Sequence, residues 1–351
     1  MKKFIQLLFV ITSFTVSQSL AQTLLTQVKP FKSKTWGYAN IKGEMVIPAQ
    51  FEKCYKFTGD GYATIYDTKN RQYYFINSKG EKLNTEISSF KLRDGFGFDV
   101  SAFNSGVVPV KIGEKWGYLS VTGKVIVQAK YDEASDFNGG YGVVRSGINY
   151  TVLSTKGEEF FISVPGVTDV KPFTENMAPY RAADKKMGFI GIDGKIAIPA
   201  QFESVGYFTN GLAWAKTTDN KLGYINPKGE WVIKPNFEAA KNFDAESGLA
   251  RIKNGDKWAY VNKSGEITYV GITDTYGDFS EGLAEGKSNG KTGFYGPNGQ
   301  WVIQPQFDGS RDFKNGYAAA KQGDRWGMID KSGKWVIQPV YDGIKDMELI
   351  K

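Results

Sequence analysis

Histidine is absent from all 351 residues. That gap removes Ser-His-Asp and Cys-His nucleophilic sites and every histidine-ligated zinc site. Cysteine is almost as scarce. Cys54 stands alone, so no disulfide can form within the chain, and its neighbours Tyr55 and Phe57 suit a buried, inert thiol better than a reactive one. Apolar runs long enough to span a bilayer are missing too, the run from Phe4 to Val16 being too short. No glycine-rich phosphate loop and no EF-hand-like acidic loop occurs, because the glycines fall at hairpins and before strands.

The apolar run follows Lys2 and Lys3 and precedes the small residues Ser19 and Ala21, the pattern of a secretory signal peptide cleaved near Ala21. Residues 1–21 are therefore expected to be removed, leaving an exported chain that is periplasmic, at the cell surface or extracellular, with no transmembrane segment. Loss of Lys2 and Lys3 takes the formal charge from +7 to +5. So modest a charge, spread along the chain, speaks for solubility and against nucleic acid as a partner.

Glycine (41 residues) and aromatic residues (15%) are plentiful, a mixture that suits short strands joined by tight turns. The stretch Leu222 to Lys257 is restated about nine times at intervals of roughly 34 to 43 residues, the mark of a repeat architecture. Each unit opens on a strand such as Trp116-Gly117-Tyr118, Leu222-Gly223-Tyr224 or Trp326-Gly327-Met328, where the large residues share one face and the glycine leaves room for a neighbouring backbone. A hairpin follows, as in Asn226-Pro227-Lys228-Gly229, with glycine suited to the left-handed position. Then come a second strand such as Trp231-Val232-Ile233, expected to stop at Pro48, Pro199, Pro235, Pro305 or Pro339, and an aromatic-acid pair such as Phe237-Glu238. A further strand such as Gly248-Leu249-Ala250-Arg251-Ile252 completes a three-stranded meander that cannot bury its apolar face alone. The units lie near 35–72, 73–115, 116–149, 150–186, 187–221, 222–257, 258–291, 292–325 and 326–345, with 346–351 a tail that could cap the array.

Trp326-Gly327 through Gly333, Trp335-Val336-Ile337, Pro339 and Tyr341-Asp342 resemble the WG-repeat (KWG-repeat) proteins of bacteria, and the resemblance runs from about Thr35 to Asp342. It implies an exported or cell-associated β-repeat protein with a binding role, and it carries over no catalytic residue. Three units depart from the pattern. The second has Tyr73-Tyr74-Phe75 and then a long irregular stretch, the fourth has Tyr150-Thr151-Val152, and the seventh has Trp258-Ala259-Tyr260 followed by Ile267-Thr268-Tyr269-Val270.

The expected fold is all-β: tandem repeats stacked as an open solenoid or superhelix, with a closed propeller-like ring as the alternative. Propellers usually have four strands per blade and at most eight blades, which argues for the open form. The recurring acids Glu52, Asp132, Glu203, Glu238, Asp308 and Asp342 read as fold requirements that cap turn backbone N–H groups, and the recurring tryptophans read as packing. Candidate ligand or partner contacts are sought where the period breaks: Arg93, Phe96, Phe98, Arg181 and Trp214. No catalytic, metal-binding or cofactor-binding residue is assigned. The expected function is a non-enzymatic binding or scaffold module for a protein or glycan partner at the bacterial envelope. The alternatives are a purely structural or adhesion component and a carboxylate-based glycan-active enzyme.

Overall fold

A computed structural model describes residues 23–94 and 100–350. The signal-peptide segment and the pair Phe96 and Phe98 lie outside the described residues. Among the described residues there is no helix. The strands form nine antiparallel sheets, seven of four strands and two of three, arranged as the blades of a β-propeller.

The ring closes through its ends. Thr23–Lys29 pairs with Gly343–Ile350 on one side and with Trp36–Asn40 on the other, so the first blade is built from both termini. Nine buried cores alternate with the nine blades, one in each gap. The last joins Ala319 and Met328 of blade nine to Val28 and Ala39 of blade one. This closure replaces the expected open solenoid, and residues 346–350 are a paired strand rather than a cap. The solenoid expectation overlooked Thr23–Lys29, whose Leu25 and Val28 are fully buried.

In seven of the nine blades four strands also replace three. The additional, innermost strand is two residues long in most blades, for example Glu133–Ala134 and Ala239–Ala240, too short to leave a periodic signal. It joins the second strand through a turn with two left-handed residues, such as Asn210-Gly211 or Asn315-Gly316. The outermost strand does not stop at its proline: Trp231–Phe237 and Trp301–Phe307 run through Pro235 and Pro305. Proline is tolerated there because this is the sheet edge, where an N–H would find no partner, and it blunts that edge against pairing with other chains.

The glycine of the third strand has a steric cause. A Cβ at Gly37, Gly293 or Gly327 would come within 2.5 Å of the carbonyl oxygen of Ile47, Ile303 or Ile337 in the outermost strand. The same collision, with Val127, Ile198 or Ile233, arises at Gly117, Gly188 or Gly223. The register shifts across each of these glycines and again just after the residue that follows it, so the outer strand bulges there. The residue that follows is buried, and where it is tyrosine its hydroxyl crosses the gap. Tyr38, Tyr118 and Tyr224, and likewise Tyr260 after Ala259, donate to the carbonyl oxygens of Tyr55, Ser135, Lys241 and Gly277, in or beside the next blade's innermost strand, at 2.6–2.9 Å.

Candidate functional site

The recurring acids hold the frame. Asp132, Glu238 and Asp308 each accept a turn N–H, from Gly147, Gly255 and Gly323 at 2.6–2.7 Å, and each pairs with the lysine ahead of the preceding Trp-Gly position, Lys115, Lys221 or Lys291. These contacts hold their carboxyls below the usual range, through Gly147 foremost at Asp132, Lys221 at Glu238 and Lys291 at Asp308. Cys54 is half-buried and near Gln27 Nε2, and burial pushes its thiol up, which leaves it a poor nucleophile at neutral pH.

The inner ends of the blades converge, and charged side chains there bridge neighbouring blades. Arg311 of blade nine lies 4.0 Å from Asp346 of blade one, and Arg251 of blade seven pairs with Asp278 of blade eight at 2.7 Å while covering the Trp258 ring at 4.7 Å. Three grooves open along this inner rim.

The most aromatic groove has a volume of about 590 Å³ and spans blades three to six. Trp116, Tyr150 and Tyr207 contribute half-buried rings. Three ion pairs lie between them: Arg93 with Asp136 at 4.0 Å, Lys171 with Asp169 at 2.8 Å, and Arg145 with Glu133. The Arg93 guanidinium also donates to the carbonyl of Ala134 at 2.6 Å, tying blade three to blade four. One oxygen of Asp136, Oδ1, is buried and accepts no hydrogen bond. Tyr150 occupies the place of the repeat's tryptophan and donates to the carbonyl of Thr168 at 3.0 Å in the next blade; burial, then the charge of Asp169, pushes its phenol up.

Of the residues singled out by sequence, Arg93 lies in this groove. Trp214 lies in a second, of about 490 Å³, with its indole against Gly206 and with Lys241 and Asp244 nearby. Arg181 lines none of the three; its guanidinium donates to the Lys185 carbonyl at 3.3 Å and sits 3.7 Å from Met187 Sδ, closing its own hairpin. Trp116, Tyr150, Asp169, Lys171 and Tyr207 were missed. A signal existed: the position before the recurring phenylalanine reads Lys56, Asp136, Pro172, Tyr207, Asn242, Asp278 and Asp312 while its neighbour stays aromatic. A position that varies inside an otherwise fixed unit is free to serve a ligand.

Comparison with known sequences follows the same division. The model described as WG containing repeat matches 36–66, 116–147, 187–221, 223–258, 293–326 and 326–348, together more than half of the chain. The chain belongs to the WG-repeat family. Each match opens at one of the six glycine-bearing third strands. No curated protein matches the chain in sequence. Among solved structures, a crystal structure of a eukaryotic initiation factor superposes with a TM-score of 0.62 at 12% identity, covering 93% of this chain and 98% of that one, a likeness of fold alone. The dihydro-heme d1 dehydrogenase NirN in complex with DHE follows at 0.45 and 12%, covering 92% and 74%, and BamB from Moraxella catarrhalis at 0.37 and 12%, covering 80% and 94%.

Proposed function

We propose that this WG-repeat protein is a non-enzymatic binding module, exported to the bacterial envelope, that holds a protein or glycan partner at the inner rim of its ring. The observation that carries the reading is the groove of blades three to six, where the fourth unit departs from the repeat and aromatic rings lie beside side-chain donors and acceptors. The blades themselves account for the recurring residues, so the departures are free for recognition. Affinity capture from native envelope extract tests it. The chain retains a partner that a Lys171→Ala, Tyr207→Ala double variant with unchanged melting does not, and equal capture by both would overturn the reading.

One observation favours a carboxylate-based enzyme instead. In the third rim groove, desolvation by the surrounding groove walls and then Glu285 push the carboxyl of Asp312 upward, a push moderated because the residue is exposed to solvent, and Asp346 lies nearby. Two carboxyls lining one groove, one of them pushed upward, are the residue types that glycoside hydrolysis uses. The binding reading expects no hydrolysis of envelope glycans by the chain. Turnover abolished by Asp312→Asn would reverse that order.

A further inference from the structure

We infer that the groove of blades three to six takes an uncharged oligosaccharide; this rests on the binding reading above. The argument is the charge balance of its walls. All three cations in the groove are matched to three anions within it, Arg93 to Asp136, Arg145 to Glu133 and Lys171 to Asp169. An anionic ligand would have to displace a carboxylate from its cation, and a cationic one would have to displace a cation from its carboxylate. Either exchange forfeits an interaction already made, so a charged ligand gains little net free energy.

A neutral, hydroxyl-rich ligand faces no such cost. Each ion pair presents donors and acceptors side by side, and vicinal hydroxyls can donate to the carboxylate and accept from the adjacent cation without breaking the pair. The rings supply the other half of the chemistry. Trp116, Tyr150 and Tyr207 offer flat apolar surface with polar edges, which suits the C–H face of a pyranose as its hydroxyls meet the ion pairs. A volume of about 590 Å³ accommodates a few sugar rings at once. The other two grooves lack this combination. One centres on Asp312, Asp346, Glu285 and Arg311, and the other holds a single tryptophan, Trp214.

The test pairs a glycan array with titration calorimetry on the purified chain. The probes are neutral oligomers of glucose, mannose and N-acetylhexosamines, alongside uronate-containing and sialylated counterparts. The expected result is binding of at least one neutral series and weaker binding of its acidic counterpart. Asp169→Asn frees Lys171 from its partner. It is expected to weaken neutral-sugar binding by about tenfold, the loss of roughly one charge-assisted hydrogen bond, and to move the ranking toward uronates. Lys228→Ala, on an exposed hairpin that lines none of the grooves, is expected to leave the titration unchanged. Preference for the acidic series by the parent chain overturns the inference. So does silence toward every glycan: if Lys171→Ala, Tyr207→Ala still abolishes envelope capture, the groove binds a protein and only the sugar assignment falls, whereas if capture is unaffected the binding reading falls with it.

Discussion

Six blades carry glycine in the third strand, and three, the second, fourth and seventh, carry Tyr74, Thr151 and Ala259 in its place. The outer strand follows that difference without exception. Beside the six glycines it is seven residues long and bulged. Beside Thr151 and Ala259 it shrinks to Glu159–Phe161 and Ile267–Thr268, paired in unbroken register, and beside Tyr74 it is reduced to a bridge from Ile76 to Lys82. One Cβ therefore decides whether a bulged strand can cross. The regular blades use their outer face to finish the sheet, and the irregular ones release that chain for other purposes. After blade two it runs on to the third blade's hairpin, where Glu86 N–H donates to the Gly123 carbonyl. After blade four it reaches Asp169 and Lys171 in the groove.

The strongest way to break this comparison is to exchange the residues. Gly293→Ala in a regular blade forces Cβ against Ile303 O and is expected to cost about 3 kcal/mol or more, as overpacking against backbone does. The reverse change in an irregular blade, Ala259→Gly, meets no such wall and should cost about 1 kcal/mol through backbone entropy. Equilibrium denaturation of both variants reads the difference. Equal losses would show that the glycine is not what admits the bulged strand.

A smaller effect is expected across the blade gaps. Tyr224 spans a gap by donating to Lys241 O at 2.8 Å, whereas the irregular fourth blade has Val152 at that place and makes no such bond. Tyr224→Phe leaves the ring packed and the carbonyl unpaired, an expected loss of about 1 kcal/mol. Should the melting of that variant match the parent, the gap is held by apolar packing alone.

How much of this was legible in the sequence follows the same line. The third-strand glycine and the acid after the outer strand repeat in every regular unit, and repetition made their causes readable. Asn226 Oδ1 accepts from Lys228 N and Glu230 N at 2.9 and 3.1 Å, as the turn chemistry requires. Ring closure was not readable, because it depends on two end strands, Thr23–Lys29 and Gly343–Ile350, that share no sequence pattern and meet only in space. The groove was partly readable: Arg93 stands out because it breaks the period. Tyr150 stands out as a departure yet not as a site, since its neighbours Asp169 and Lys171 come from another blade.

The gentlest test uses pH, and it separates the two kinds of blade through their turns. At the strand-to-strand step after a regular outer strand stands an acid paired with a lysine and a backbone N–H, as at Asp132, Glu238 and Asp308; after the second and fourth blades the matching places hold Lys91 and Thr168. The three carboxyls are depressed in the folded chain, so their contribution is fully present above the ordinary carboxylate range, near pH 4, and fades as pH falls through their lower folded values. All three are solvent-facing, and each effect is correspondingly small. Stability measured by denaturation between pH 7 and pH 3 should therefore decline less steeply in an Asp132→Asn, Glu238→Gln, Asp308→Asn chain than in the parent, with the neutral-pH stability slightly lower. A parallel decline would place the acid sensitivity elsewhere, and hydrogen exchange across the regular and irregular blades at pH 3 then locates it. The turns at Gly147, Gly255 and Gly323 are expected to lose protection before the body of the gaps between blades does, because, apart from the carboxylate bridges at their inner ends, those gaps are held by apolar side chains and tyrosine hydroxyls that do not titrate in this range.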